Sequence, residues 1–402
     1  MPPLIFAAQA YQARSPQLLS QQCINAFVET SPKDAKTQVP IYGTPGLTLF
    51  SRQGKGPING LHVFQDALFA MSGNQLWKVQ LVGTSPNVTG KASLIGTTTL
   101  GGLMSMADNG QQLVIVDGSG GWIYQPSGLN IVTTAGAIAG QTVIPANVTG
   151  TVTSGDTLNI PLDNGATFTT TANATSTAAS DEVTLAAGLP STVSAGAVII
   201  DATNVLGQIL APAFRPASTV TFFDSYFCFD SRGTRQFFIS GSNDGTQYSG
   251  LDFATASASS SDVVAVRAYH EQLLVFTQRS CEVWWDTGAV SFPFQRYDAA
   301  YIERGCAAPL SVCSEDNTVF WMGDDGNFYR MEGFTPKRVS TFAMEHAWAQ
   351  YPNRFLDCSA FVLDQEGHKF VVVNFPSGLQ TWVYDIATSL WHQRESWGSP
   401  WV

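Results

Sequence analysis

The sequence predicts an all-β protein: a β-propeller of about six or seven divergent blades with a small inserted β-sandwich-like module. Short runs of β-branched and aromatic residues alternate with Gly, Asn and Asp along most of the chain, and helix signals are scarce. A strand–turn–strand–turn–strand phrase occurs six times. Four of the five spacings between these phrases lie between 43 and 50 residues, close to the length of about 45 residues expected of a propeller blade.

The first repeat shows the pattern: strands at 61–64, 67–71 and 75–79, separated by turns at 65–66 and 72–74. The first turns of the other five repeats lie at Asn109, Ser225, Glu271, Asp316 and Glu366. An aromatic residue stands in or near each third strand, as is typical of propeller blades. The Trp-Asp pair of WD repeats occurs once, at 285–286, so the blades are divergent. The longest predicted helix covers 341–350.

The remaining spacing, from Asn109 to Ser225, is longer than the others and indicates an insertion. It measures 116 residues, which is one blade plus about 70 residues. The additional residues fall at 133–207, where Ala, Thr, Gly, Ser and Val dominate and Phe168 is the only aromatic residue. The runs 157–160 and 182–185 predict short strands. We therefore expect a small β module here; a disordered low-complexity linker is the alternative.

The predicted organisation has four parts. They are an N-terminal extended segment at 1–57, the first propeller blades at 58–132, the inserted module at 133–207 and the remaining blades at 208–402.

Composition limits the classes of function. The chain carries 20 basic and 31 acidic residues, for a net charge of −11, which argues against broad nucleic-acid binding. Charged residues make up 13%, against roughly 25% in an average soluble domain. This deficit predicts a surface partly covered by other protein. The start lacks the features of a signal peptide, and no run of about 18 apolar residues suggests a membrane span.

The sequence carries none of the motifs of a phosphate-binding loop, a dinucleotide-binding turn, a zinc protease or a serine hydrolase. The six cysteines form no C-x-x-C pair and predict buried free thiols. The sequence 324–327, D-D-G-N, lacks the spaced ligands of a calcium loop and predicts a β-turn. The five histidines carry no local signature, and turns are predicted for His270 and His368, where exposure is expected. Carboxylate pairs at 181–182 and 315–316 also fall in turns. We expect no enzyme, no catalytic residue, no cofactor and no metal site.

Several phrases together resemble one known family, the packaged-DNA stabilisation or tail hub proteins of short-tailed bacteriophages. The phrase C-I-N-A-F-V-E at 23–29 is similar to the family's C-x-N-x-[YF]-x-E, and T-P-G-L at 44–47 is similar to its P-G-[LI] turn. The phrase E-V-W-W-D-T-G at 282–288 resembles E-x-[WFY]-x-x-T-G, and I-E-R-G-C at 302–306 resembles [IV]-x-[KR]-G. The resemblance covers most of the chain outside 133–207.

The resemblance implies a structural virion protein. It would be a tail hub that closes the portal and adaptor channel, retains packaged DNA and attaches a tail needle or receptor-binding spikes or fibres. It implies a homohexameric ring located in the virion tail, assembled in the host cytoplasm, without sequence-specific nucleic-acid binding. A carbohydrate-binding or glycan-degrading phage tail propeller is the alternative, and a soluble scaffold propeller is a third option.

Three tryptophans lie near the end of the sequence, at Trp391, Trp397 and Trp401. Exposed indoles would be unfavourable, so we expect them to be covered. The cover would come from the N-terminal segment 4–27, from further residues of a longer chain, or from a neighbouring subunit. The family resemblance favours a longer chain.

Overall fold

The computed structural model describes residues 10–12, 20–29, 31, 39–84, 88–148, 150–177, 179–396 and 398–401. The chain forms two compact units. The terminal unit comprises Met1–Leu49, Ala256–Gly288 and Phe294–Val402. The central unit comprises Phe50–Thr255 and Ala289–Pro293.

Four short strands come first and belong to the terminal unit. They are β1 (Tyr11–Gln12), β2 (Ser20–Gln21), β3 (Ala26–Val28) and β4 (Ile41–Gly43). Strands β1 and β2 pair with each other, as do β3 and β4, both antiparallel.

The central unit contains three four-stranded antiparallel sheets, which we call blades 1 to 3. Blade 1 consists of β5 (Ile58–Phe64), β6 (Ala67–Ser72), β7 (Gln75–Val82) and β8 (Thr89–Thr97). Blade 2 begins with β9 (Ser105–Asp108), β10 (Leu113–Val116) and β11 (Gly121–Tyr124). Its fourth strand comes only after the inserted module.

The inserted module has eight strands. They are β12 (Leu129–Thr133), β13 (Val143–Asn147), β14 (Thr151–Val152), β15 (Thr157–Pro161), β16 (Thr167–Thr171), β17 (Ser176–Thr177), β18 (Glu182–Thr184) and β19 (Val198–Asp201). Six of them form one sheet in the order β16-β15-β19-β12-β13-β18, and β14 pairs with β17. A bridge between Ala172 and Leu185 joins the two edges of the sheet, which therefore curls around an apolar core. The residues form a structured module rather than a disordered linker.

The chain then completes the central unit. Strand β20 (Leu206–Gln208) pairs with β11 as the fourth strand of blade 2, so the module is inserted between the third and fourth strands of that blade. Blade 3 consists of β21 (Val220–Phe223), β22 (Tyr226–Ser231), β23 (Gln236–Ile239) and β24 (Phe253–Thr255).

The terminal unit contains blades 4 to 6, again four-stranded and antiparallel. Blade 4 consists of β25 (Val263–Tyr269), β26 (Gln272–Thr277), β27 (Cys281–Asp286) and β28 (Phe294–Ile302). Blade 5 consists of β29 (Cys313–Glu315), β30 (Thr318–Met322), β31 (Phe328–Glu332) and β32 (Thr335–Arg338). Blade 6 consists of β33 (Ser359–Gln365), β34 (His368–Phe375), β35 (Gln380–Asp385) and β36 (Leu390–Gln393).

The remaining elements are small. A helix, α1 (Phe342–Trp348), lies within the predicted helical stretch, and two 3₁₀ turns cover Pro309–Ser311 and Pro376–Gly378. The last strands are β37 (Glu395–Ser396) and β38 (Ser399–Pro400), which pair with each other. Six four-stranded sheets thus lie in the described part of the chain, and the predicted all-β class is confirmed.

The predicted turns hold the repeat in register. In each blade the marker residue lies between the first and second strands, as Asp66 does between β5 and β6. Positive φ angles at Gln65 (48°) and Asp66 (58°), and at Asp316 (51°), show the tight hairpin turns that Asp and Asn tolerate best. Between these turns the strands bury continuous apolar runs, such as Leu113–Val116 and Thr318–Met322.

Candidate functional site

The five histidines of the sequence do not come together as a catalytic group in the described part of the chain. His62 contacts the Asp108 carboxylate at 2.6 Å in the central unit, whereas His270 and His346 are exposed in the terminal unit. The expectation of an exposed His368 is wrong. This residue begins strand β34 and is only 8% exposed, because its ring stacks on Phe370 and bonds a neighbouring carboxylate.

Two histidines, His368 and His392, lie close together in blade 6, where their ring nitrogens bond neighbouring side chains of the sheet. The Nδ1 atom of His368 lies 2.9 Å from the Asp385 carboxylate. Burial and the nearby Arg394 guanidinium lower the pKa of His392 to about 3. His392 is therefore neutral near pH 7 and accepts a hydrogen bond at Nε2 from Nε of Arg394, at 3.1 Å. Phe27 packs against His368, at 4.9 Å between ring centroids.

The N-terminal phrase C-I-N-A-F-V-E docks on blade 6. Ile24 forms a parallel bridge with Gln393, so the segment extends the sheet beyond β36. Asn25 donates from Nδ2 to the Glu395 carbonyl at 3.0 Å, and its Oδ1 accepts from the Glu395 N–H at 3.0 Å. Phe27 is buried with Phe370 and other apolar residues of the sheet. We call segment 23–29 the N-terminal latch.

The phrase E-V-W-W-D-T-G places a buried carboxylate in blade 4. Glu282 is fully buried, and its oxygens accept from the Ala258 N–H at 2.6 Å and from Nε1 of Trp284 at 3.0 Å. Its partners link strand β27 to the segment that precedes blade 4. At the end of the phrase, Gly288 has a φ of +68°, which a residue with a side chain adopts only with strain.

The phrase I-E-R-G-C connects blade 4 to blade 5. Arg304 lies 3.6 Å from Asp324 and 3.2 Å from Asp325, the two acids of the D-D-G-N turn between β30 and β31. That turn uses its carboxylates for local hydrogen bonds, as the β-turn prediction requires: Asp325 Oδ1 accepts from the Asn327 N–H. A Cβ on Gly305 would lie 2.2 Å from the Gln278 backbone, so only glycine fits there.

Further titratable groups are buried in other blades. Asp230 in blade 3 accepts from the backbone N–H groups of Ser218 and Thr219, yet burial raises the pKa of this carboxyl to about 6. Burial also raises the pKa of the Cys306 and Cys313 thiols to about 12. All six cysteines are free, and all except Cys23 are buried, as predicted.

The two best-formed clefts of the described residues are smaller than the pockets that small ligands occupy. Their volumes are about 70 and 60 Å³, against roughly 300–1,000 Å³ for ligand pockets. Across the same residues, no three His, Cys, Asp or Glu side chains come together as metal ligands. None of the described helices is long and apolar enough to span a membrane.

The phrases can be recognised in the sequence, but the bonding partners of their polar residues were not predicted. Asn25, Glu282 and Arg304 each bond a segment distant in sequence. The available signal was a charged residue inside an apolar strand, as at Glu282 between Cys281 and Val283. Such a residue is buried only when it is paired. The identity of the partner depends on the fold.

Comparison with known proteins identifies the repeat. The family model described as bacteriophage P22 Gp10, β-propeller, matches residues 137–399. The match confirms the predicted propeller fold and the phage-family resemblance. It includes most of the inserted module, which was expected to lie outside the resemblance, and it leaves out the phrases at 23–29 and 44–47.

Other comparisons add less. No curated protein matches the sequence. Among solved structures, the N-terminal domain of Nup159 matches with 8% identity over 85% of this chain and 76% of that chain, with a TM-score of 0.42. Apo AztD from Citrobacter koseri matches with 10% identity over 94% of both chains and a TM-score of 0.37. BamB from Moraxella catarrhalis gives 8% identity, 83% and 73% coverage and a TM-score of 0.38. These values are too low to indicate a shared function.

Proposed function

This chain belongs to the phage stabilisation family described as the bacteriophage P22 Gp10 β-propeller, and from that premise we propose that it is the tail hub of a short-tailed phage. It is a phage structural protein with a propeller fold. In the proposed role it closes the portal and adaptor channel in the virion tail, retains packaged DNA and attaches a needle, spike or fibre. The family match over 137–399 carries the proposal.

The chemistry of the chain supports a structural role. The polar groups of the family phrases are occupied in holding strands and turns, as the partners of Glu282 and Asn25 show. We therefore propose that the protein is not an enzyme. The net charge of −11 also suits a plug that blocks DNA sterically rather than by binding phosphates.

One face of blade 1 supports contact with other copies of the chain. Leu61 and Val63 lie two residues apart on strand β5, on the same face of the sheet, and are 58% and 68% exposed, respectively. Contiguous exposed apolar side chains mark protein contacts. We propose that this face is covered in a homohexameric ring that assembles in the host cytoplasm.

A particle assay tests DNA retention. Phage particles assembled without this protein should package DNA and then lose it, which makes the DNA accessible to nuclease. Addition of the purified protein should restore protection. Particles that keep their DNA equally well without the protein would refute the hub role.

The blade 1 face has its own test. Val63→Asp should lower the mass of the purified assembly measured by light scattering, because a charge in an apolar contact is costly to bury. The matched control is Lys91→Asp, since Lys91 is an exposed residue of strand β8 in the same blade. Equal assembly of wild type and Val63→Asp would remove this face from the interface.

A further inference from the structure

Blades 4 and 5 expose a row of aromatic side chains that the hub role does not use. Trp285 in β27, Tyr297 in β28 and Phe334 in the turn between β31 and β32 are 44%, 43% and 38% exposed. We call these three residues the aromatic row. All three belong to the terminal unit.

Strand pairing places the first two side chains on one face of blade 4. Trp285 is opposite Gln295, and Tyr297 lies two residues further along β28, on the same face as Gln295. The Tyr297 and Phe334 ring centroids are 6.1 Å apart. The neighbouring Trp284 points to the other face and is only 8% exposed. The row therefore crosses the outermost strand of blade 4 and reaches blade 5.

Polar groups are interleaved with the rings. Gln295 is exposed on the same face as Trp285 and Tyr297. Glu332 and Lys337, on either side of Phe334, form an exposed ion pair at 2.8 Å. The core of a protein–protein interface is depleted of charged residues, so these surroundings do not suit a dry protein contact.

The local charges also disfavour single-stranded nucleic acid. Aromatic platforms for bases lie in positively charged grooves that follow the phosphates. Here Lys337, the cation beside Phe334, is paired with Glu332, and Arg296 lies on the opposite face of β28, 2.8 Å from Asp298. The chemistry that remains is that of a hydroxyl-rich ligand without phosphate groups.

We propose that the aromatic row binds a bacterial surface polysaccharide. The negative face of an aromatic ring attracts polarised C–H groups, and one face of a sugar ring presents several of them. Gln295, on the same face as Tyr297, supplies a donor and an acceptor for sugar hydroxyls. The site binds and does not cleave, and it acts separately from DNA retention.

The experiment measures binding to an array of purified bacterial O-polysaccharides and capsular polysaccharides. Wild-type protein should bind at least one of them. Trp285→Ala and Tyr297→Ala should each weaken that binding by about tenfold or more, while keeping the wild-type melting temperature, because both side chains are partly exposed. Phe342→Ala is the matched control, since Phe342 is an aromatic residue that is 74% exposed in α1, outside the row. It should bind like wild type.

Each other outcome overturns the proposal. Failure to bind any polysaccharide on the array, or equal binding by Trp285→Ala, removes the site. Tighter binding of oligo(dT) assigns the row to nucleic acid, and concentration-dependent association lost in Trp285→Ala assigns it to a second copy. The variants should still restore nuclease protection to phage particles, so failure of this site and failure of the hub role are distinguishable.

Discussion

Single polar side chains fasten segments of this protein that lie far apart in sequence. Asn25 satisfies both backbone groups of Glu395 across 370 residues, and Glu282 accepts two hydrogen bonds within a fully buried site. Such bonds contribute about 0.5–1.5 kcal/mol each, but removal of one partner leaves a buried group unsatisfied at a cost of about 1–3 kcal/mol. The latch therefore depends on a few atoms.

Asn25→Ala should loosen the N-terminal latch. The substitution removes both bonds to Glu395 and places an alanine at a φ of +52°, so we expect a loss of about 2–3 kcal/mol in local stability. Hydrogen exchange at the Asn25 and Gln393 amides, which bond across the junction, should accelerate. Asn25→Gly avoids the strain of a positive φ but also lacks the two side-chain bonds. Its exchange rates should therefore fall between those of wild type and Asn25→Ala. Unchanged exchange in Asn25→Ala would contradict the latch.

Asp230 should make blade 3 more stable in mild acid. Its pKa in the folded protein is raised from 3.8 to about 6 by burial. A carboxyl with a raised pKa contributes stability that is complete below its unfolded pKa and is lost as pH rises through the folded pKa. The stability of wild type relative to Asp230→Asn should therefore fall by about 3 kcal/mol between about pH 4 and pH 6.5.

Thermal melts of both proteins across this pH range provide the measurement. Asp66→Asn is the control, because Asp66 is exposed in a turn that accepts Asn. A difference between wild type and Asp230→Asn that does not vary with pH would show that Asp230 is not the titrating group.

At the scale of elements, local patterns predicted what local physics determines. The hairpin turns at Asp66 and Asp316 were visible because Asp and Asn tolerate positive φ. The helix within 341–350 was also predicted. The burial of His368 was not predicted, because it depends on the pairing of β34 with β35 and on the packing of Phe27. The latch and the Arg304 contacts also arise from pairings between distant segments, which a single sequence does not encode locally.

The inserted module should be dispensable for the folding of the blades. Its ends are adjacent, because the Leu129 N–H donates to the Asn204 carbonyl at 2.9 Å. A short Gly/Ser linker in place of 130–202 therefore closes a small loop, at a cost that changes by only about 0.6 kcal/mol per doubling of its length. The shortened chain should remain soluble and unfold cooperatively in thermal melts.

A second deletion serves as the comparison. Replacement of 133–207 also removes Leu206 and Gly207 from β20, the strand that completes blade 2 beside β11. We expect this chain to melt at a lower temperature than the first. Aggregation of the 130–202 replacement would instead show that the module is part of the common core.

At the scale of the whole molecule, both ends of the described chain meet on blade 6. The Ala10 N–H donates to the Trp391 carbonyl at 2.8 Å, and the latch extends the sheet beyond β36. The N-terminal segment provides only part of the expected cover, because the Trp391 indole packs mainly against Phe328, Trp348 and Tyr384. Trp391 is 1% exposed, and Trp401 lies 5.2 Å from the Arg394 guanidinium. Trp397 lies outside the described residues.

Truncation before Trp391 should weaken both folding and assembly. It removes most of β36, the bond from Trp391 Nε1 to the Val339 carbonyl at 2.8 Å, and the strand on which the latch docks. Loss of one large buried side chain alone costs about 3–5 kcal/mol. Truncation after Ser396 is the matched comparison, because it keeps β36 and removes β38, which pairs with β37, together with the contacts of Trp401 with Arg394, Thr381 and Ser396. The melting temperature should be highest for wild type, intermediate for the shorter truncation and lowest for the longer truncation.

Light scattering should show the proposed ring for wild type. It should show a lower mass for the longer truncation, because loss of β36 disrupts blade 6. Identical mass and melting temperature in all three chains would refute the role of the terminal strands.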